Sequence, residues 1–205
     1  MFPNLVIFLP LVIAIINYRR YPVTLRYITI YLALSMATQI MSFVFWKLKK
    51  NNLPILHLYT LMEYFFLAKY YSELLKGFLP KTALVILTYS FLLYSIFDSL
   101  FIESPFTFNT YSRSIEALIL ITMAVCQFIK VAGETDEERH GTSGHNYINS
   151  GILVYFAGSL MLFSYSSYVQ KMAAASRFSL WTMHSFLAAL LYVLITIGLW
   201  KARAR

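Results

Sequence analysis

The stretch WTMHSFLAALLYVLITIGLW, residues 181–200, followed by Lys201-Ala202-Arg203-Ala204-Arg205, decides the fold class. Its 20 residues, taken as a helix at 1.5 Å per residue, reach about 30 Å, the hydrocarbon thickness of a bilayer. Trp181 and Trp200 bracket it, and amphipathic indoles favour the two membrane–water interfaces. Six further apolar runs lie upstream, at 3–18, 27–46, 53–71, 82–101, 113–132 and 147–168. Trp46 with Lys47, Lys49 and Lys50 ends the second run in the same way. Continuous apolar runs satisfy their backbone as helices rather than as a closed barrel. The expected fold is therefore all-α: one transmembrane domain, a seven-transmembrane-helix bundle.

Composition agrees. Of 205 residues, 59% are apolar and only 13% charged, where soluble domains carry about a quarter charged residues. The net charge of +8 would suggest nucleic acid in a soluble chain. Here the basic residues fall between apolar runs, so they set orientation in a lipid bilayer, and no nucleic-acid partner is expected. The single cysteine, Cys126, permits neither an intrachain disulfide nor a thiolate metal cluster.

Arg19 and Arg20 follow the first run instead of preceding it, which reads as a retained span with a translocated N-terminus and not as a signal peptide. Alternating loops then divide the basic residues. Lys47, Lys49, Lys50, Arg113, Lys171 and Arg177 make six on one side. Arg19, Arg20, Arg26, Lys69, Lys76, Lys81, Lys130, Arg139, Lys201, Arg203 and Arg205 make eleven on the other. The excess places the N-terminus outside and the C-terminus in the cytoplasm. Pro10 should kink the first span or locally free a carbonyl, whereas Pro54 falls in the first turn of the third, where proline is tolerated. Residues 133–145, with their glycines, acids, His140 and His145, read as a hydrated connector, and an adventitious metal there is the less economical reading. No GxxxG motif marks a helix-pair face.

A charged side chain at membrane depth costs about 2.5–3.5 kcal/mol on insertion scales, so each needs a partner, a cavity or a function. The candidates are His57 and Glu63 in span three, Asp98 late in span four, Arg113 and Glu116 opening span five, and His184 opening span seven. Gln39 and Gln127 are weaker members. Parity puts the beginnings of spans three, five and seven and the end of span four at one interface, with Glu63 about 9 Å deeper than His57. If those spans are neighbours, the six residues line one polar pocket in the outer half of the bundle. Arg113, Glu116, Met123 and Gln127 share a helical stripe, so Arg113 can pair with Glu116. Glu63 should be protonated, or paired to a cation such as His57 or His184. The plainer alternative is that each group meets water or caps a helix. Most of the 16 tyrosines read as interface anchors, while deeper ones, Tyr59, Tyr64, Tyr155 and Tyr192 among them, need acceptors such as carboxylates.

Lysine is absent from the interior of the last span, which argues against a retinal Schiff base. HExxH, GxSxG and Gly-rich phosphate loops are missing too. The segments Leu56-His57-Leu58-Tyr59-Thr60 through Glu63, Tyr111-Ser112-Arg113-Ser114-Ile115-Glu116, residues 149–158 (NSGILVYFAG) and Trp181 through His184 resemble those of a group of compact, uncharacterised bacterial seven-helix integral membrane proteins of about 200 residues. That resemblance implies a multi-pass location in the bacterial inner membrane and a sensory role, and it carries no catalytic residue. The leading expectation is a sensor or small-ligand-binding protein that acts through a signalling partner at the cytoplasmic face. The alternative is a membrane-embedded metal-dependent enzyme on a lipid-like substrate, with His57, Glu116 and His184 holding zinc and Glu63 as acid/base. Two histidines from different helices could also grip a haem.

Overall fold

The computed structural model describes residues 5–134, 136–169 and 171–203, with side chains outside 136–142 and 203. Among these residues every regular element is helical: α1 Leu5–Asn17, α2 Val23–Lys47, α3 Leu53–Leu74, α4 Lys81–Ile102, α5 Thr110–Ala132, α6 Asp136–Ser164, α7 Ser166–Val169 and α8 Ala174–Arg203. Five of them, α2, α4, α5, α6 and α8, are long and apolar enough to cross a membrane, the make-up of a multi-pass membrane protein. The other two expected spans differ for separate reasons. In α1 the described helix is short. In α3 the length suffices, but His57, Glu63, Lys69 and Glu73 lower its hydropathy.

The polarity of α3 follows from its position. It packs between α2, α4 and α5, and His57, Thr60, Glu63, Tyr64, Leu67, Ala68, Tyr70, Tyr71 and Leu74 are all buried. A helix covered on several sides meets few lipid chains, so its side chains can be polar if they find partners. By contrast α4 lies at the periphery and exposes Ile86, Leu93, Leu100 and Phe101, as a lipid-facing helix must. α5 joins α6, α6 joins α8, and α1 touches both α8 and α2, so the helices close a ring.

Two local expectations change. α1 begins as a 3-10 turn, Leu5–Ile7, and becomes α-helical at Phe8. Pro10 thus falls in the first α-turn, where a missing N–H costs little. The hydrated connector expected over 133–145 is largely helix, since α6 begins at Asp136. Acidic residues suit a helix N-terminus, and the glycines read as loop punctuation have a packing use. Gly144, Gly151 and Gly158 recur every seven residues and face α8, where a Cβ on Gly198 would stand 2.6 Å from the Gly144 carbonyl oxygen. His145 is 3.3 Å from the Tyr70 hydroxyl through Nδ1, while the His140 side chain lies outside the described residues.

Candidate ligand-binding site

Thr110 begins α5 beside Ser166 and Ser167 of the α6–α8 connection, its hydroxyl 2.9 and 2.7 Å from theirs. This fixes the start of α5 against the end of α6. Arg113 follows one turn later and points inward, its side chain 13% exposed. Its Nη1 donates to Glu63 Oε2 on α3 and, at 2.7 Å, to Glu116 Oε2 on its own helix. The pairing with Glu116 is an i,i+3 contact, and the buried face of α5 carries Glu116, Met123 and Gln127 together. Glu63 therefore finds its cation in Arg113, and neither histidine expected to serve it does so.

Further contacts hold this cluster from α2 and α6. The Tyr59 hydroxyl donates to Glu63 Oε1 at 2.9 Å, and Ser35 Oγ stands 2.8 Å from that hydroxyl. The guanidinium lies over the Phe163 ring at 4.6 Å and near Tyr59 at 5.8 Å, a cation–π setting. Glu116 Oε1 is buried and unpartnered among the described residues. Both ion pairs use Nη1, so Arg113 Nη2 and Nε keep N–H groups with no protein acceptor there.

Arg113 lines a partly open cavity of about 460 Å³ between α2, α3, α5, α6 and α8. Ligand pockets run from about 300 to 1,000 Å³, so this one is of useful size. Arg113 and His184 both line it, and Gln39 and Tyr192 close its floor, with Gln39 Nε2 donating to the Tyr192 hydroxyl at 3.3 Å. Trp46, Trp181 and Phe108 stand at its mouth, the last two stacked at 5.9 Å. From Trp46 to Ser35 on α2, and from Trp181 to Tyr192 on α8, the lining descends 11 residues, or about 16 Å, half the hydrocarbon thickness.

His184 sits in the wall with Nδ1 3.0 Å from Ser159 Oγ and its ring against Tyr155, Phe163 and Trp181. His57 and Asp98 belong elsewhere. His57 Nδ1 is 2.9 Å from Ser99 Oγ and Nε2 3.0 Å from the Thr107 carbonyl oxygen, tying α3 to the last turn of α4 and to the connection between α4 and α5. Asp98 opens the π-helical turn Asp98–Ile102, and Ser112 donates to its Oδ2 at 2.6 Å. Beside it Glu103 Oε2 accepts the Tyr111 N–H at 3.1 Å, and partial burial raises the Glu103 carboxyl above its ordinary range.

The single hollow expected for six residues is thus two sites at one end of the bundle. Arg113, backed by Glu63 and Glu116, and His184 serve the cavity. His57 and Asp98 brace the loop beside it. The zinc set His57, Glu116 and His184 is not gathered: among the described residues no three of His, Cys, Asp and Glu come together to hold a metal. Both ring nitrogens of His57 are engaged, by Ser99 and the Thr107 carbonyl, and His57 does not line the cavity on which His184 stands.

Sequence reasoning missed the aromatic and hydroxyl walls, Phe163, Trp181 and Ser35 above all. Tyr59 carried a signal, since it lies four residues before Glu63, the spacing at which helical side chains meet. The fold and site define a multi-pass helical bundle with a buried ion cluster behind a cavity. Comparison with protein-family models, curated proteins and solved structures gives no match for this chain.

Proposed function

We propose that this chain is a seven-span membrane protein, N-terminus outside and C-terminus in the cytoplasm, that binds a small ligand in its outer half and signals through a partner. The cell's inner membrane is the proposed location, as the resemblance implies. One observation carries the ligand reading: a cavity of about 460 Å³ lined by Arg113, whose Nη2 and Nε have no acceptor among the described residues. Such a group at membrane depth is costly unless something uses it. The cavity joins α2, α3, α5, α6 and α8, so an occupant touches at once α2 and α8, which have few direct contacts with each other. Binding that favours one helix arrangement shifts the population toward it, and no output domain is required.

Ala188 lines the cavity, and Ala188→Phe places a phenyl ring in it while leaving Arg113, Glu63 and Glu116 in place. The test is thermal unfolding in phosphatidylcholine nanodiscs against neutral, anionic and cationic amphiphiles. A true ligand at 100 times its Kd stabilises by about 2.7 kcal/mol, and Ala188→Phe abolishes the effect. If every compound, whatever its charge, stabilises the wild type no more than it stabilises Ala188→Phe, the ligand reading fails. Orientation is tested by thiol labelling in a Cys126→Ser background, with Lys171→Cys expected to react from outside and Lys76→Cys only from inside. The reverse pattern inverts the topology.

A further inference from the structure

The cavity's own chemistry narrows the ligand, and the inference that follows rests on the ligand-binding reading above. Charge comes first. Arg113 already has two carboxylate partners, Glu63 and Glu116, so an incoming anion would meet a guanidinium whose charge is more than balanced. A cation would meet that guanidinium, the charged group of the cluster that lines the cavity. Lys50, the other cation of the lining, is exposed at the polar end of the hollow; at the depth of Arg113 neither charge is favoured, and a neutral molecule avoids both penalties.

Hydrogen bonding comes second. Arg113 Nη2 and Nε lack protein acceptors among the described residues, and His184 Nδ1 is occupied by Ser159, which leaves Nε2 for the cavity. Unused guanidinium donors call for acceptor oxygens on the ligand. Shape is the third constraint. Phe163 and Trp181 line the hollow; Arg113 covers one face of Phe163 and Phe108 one face of Trp181, and the aromatic surface that remains suits a ring compound. Access is the fourth. α1 packs on both α2 and α8, and Tyr21, just beyond it, donates to the Leu199 carbonyl at 2.9 Å, at the end of α8 remote from the cavity. None of the described lining residues comes from α1. Beyond the Gln39–Tyr192 contact the seam between α2 and α8 is therefore lined by the cavity, at a depth reached by molecules dissolved in the bilayer.

We infer that the cavity binds a neutral, lipid-soluble ring compound bearing carbonyl oxygens, a quinone-type molecule, with a carbonyl accepting hydrogen bonds from Arg113. Binding alone is meant, and no electron transfer is required of the protein.

The chain has three tryptophans, and Trp46 and Trp181 lie on the cavity. A Trp200→Phe background makes them the only fluorescent indoles. The experiment titrates this protein, in phosphatidylcholine nanodiscs, with 2-methyl-1,4-naphthoquinone and reads indole quenching. 2-Methylnaphthalene, an alkyl phosphate and an alkyl trimethylammonium are titrated in parallel, each detected by its stabilisation against heat. The expected result is saturable quenching by the quinone, weakened about tenfold or more by Ala188→Phe and by Arg113→Lys. Arg113→Lys keeps the positive charge the carboxylates need and removes the planar donor fork. The carbonyl-free hydrocarbon should not saturate.

Linear quenching, equal in Ala188→Phe, would mean simple partition into the bilayer and overturns the inference. So would a hydrocarbon that binds as well as the quinone, or saturable quenching indifferent to both substitutions. If a charged amphiphile instead saturates in a manner lost in Ala188→Phe, the ligand class is wrong and the binding site stands. If no probe saturates, both readings fall together.

Discussion

Removing Arg113 and removing Glu116 should have opposite consequences, although the two residues share one hydrogen bond. Arg113→Met leaves Glu63, 1% exposed, and Glu116, fully buried, with no cation between them. Breaking a buried pair by deleting one partner costs about 3–5 kcal/mol, and here two carboxylates are stranded at once. On the scale of about 2–4 °C per kcal/mol for chains of this length, the unfolding midpoint falls by about 6–20 °C. Glu116→Gln removes the carboxylate whose Oε1 is already unpartnered. It keeps an oxygen for Arg113 and exchanges a charged acceptor for a neutral one, a loss of about 1 kcal/mol. Against that stands relief of the uncompensated buried charge, worth at least as much. The midpoint of Glu116→Gln should therefore equal or exceed that of the wild type. Thermal unfolding in nanodiscs, followed by static light scattering and indole emission, measures both. If Glu116→Gln is destabilised as much as Arg113→Met, charge balance does not govern this cluster and a neutral ligand is no longer favoured over a charged one.

Three other outcomes are expected. Gly198→Ala should destabilise the bundle by about 1–3 kcal/mol, since its Cβ would stand 2.6 Å from a backbone oxygen. Gly158→Ala should be nearly neutral, because the clash at 2.8 Å is with the flexible end of Leu187 and alanine recovers about 1 kcal/mol of helix propensity. A comparison of their unfolding midpoints decides, and equal losses would refute the backbone argument. His57→Ala should cost about 1–3 kcal/mol and raise amide exchange over residues 103–109 while leaving the cavity's affinity for its ligand unchanged. A loss of ligand binding with no change in exchange would place His57 in the site instead. Chelation should leave the unfolding midpoint unaltered, and His57→Ala/His184→Ala should carry the same metal content as wild type by elemental analysis. Stoichiometric zinc lost in that double substitution would restore the His57, Glu116 and His184 set.

Hydropathy alone marked the helices, because exclusion of polar backbone from lipid acts on each segment independently of its neighbours. Each of the seven apolar runs overlaps one of α1 to α6 and α8, although α6 begins at Asp136 and ends at Ser164 and α8 begins at Ala174, off the bounds of their runs, and Trp46, Trp181 and Trp200 mark ends of the runs. Spacing within a helix was equally legible. Arg113 and Glu116 are three apart, and the stripe through Met123 and Gln127 is buried as its phase requires. The heptad of Gly144, Gly151 and Gly158 is present in the sequence too, but its seven-residue spacing does not match the four-residue GxxxG pattern by which close helix pairs are usually recognised.

Which groups meet across helices was decided by the tertiary structure. Glu63 could have turned to His57, His184 or Arg113, all placed at one end of the bundle by parity. The packing of α3 against α5 selected Arg113. His57 turns instead toward Ser99 and Thr107, and the hollow lies between α2, α3, α5, α6 and α8. One-dimensional patterns fix how deep a residue lies and on which face of its own helix. The rotation and neighbours of that helix depend on side chains far apart in the chain, so the contents of the cavity follow from packing alone.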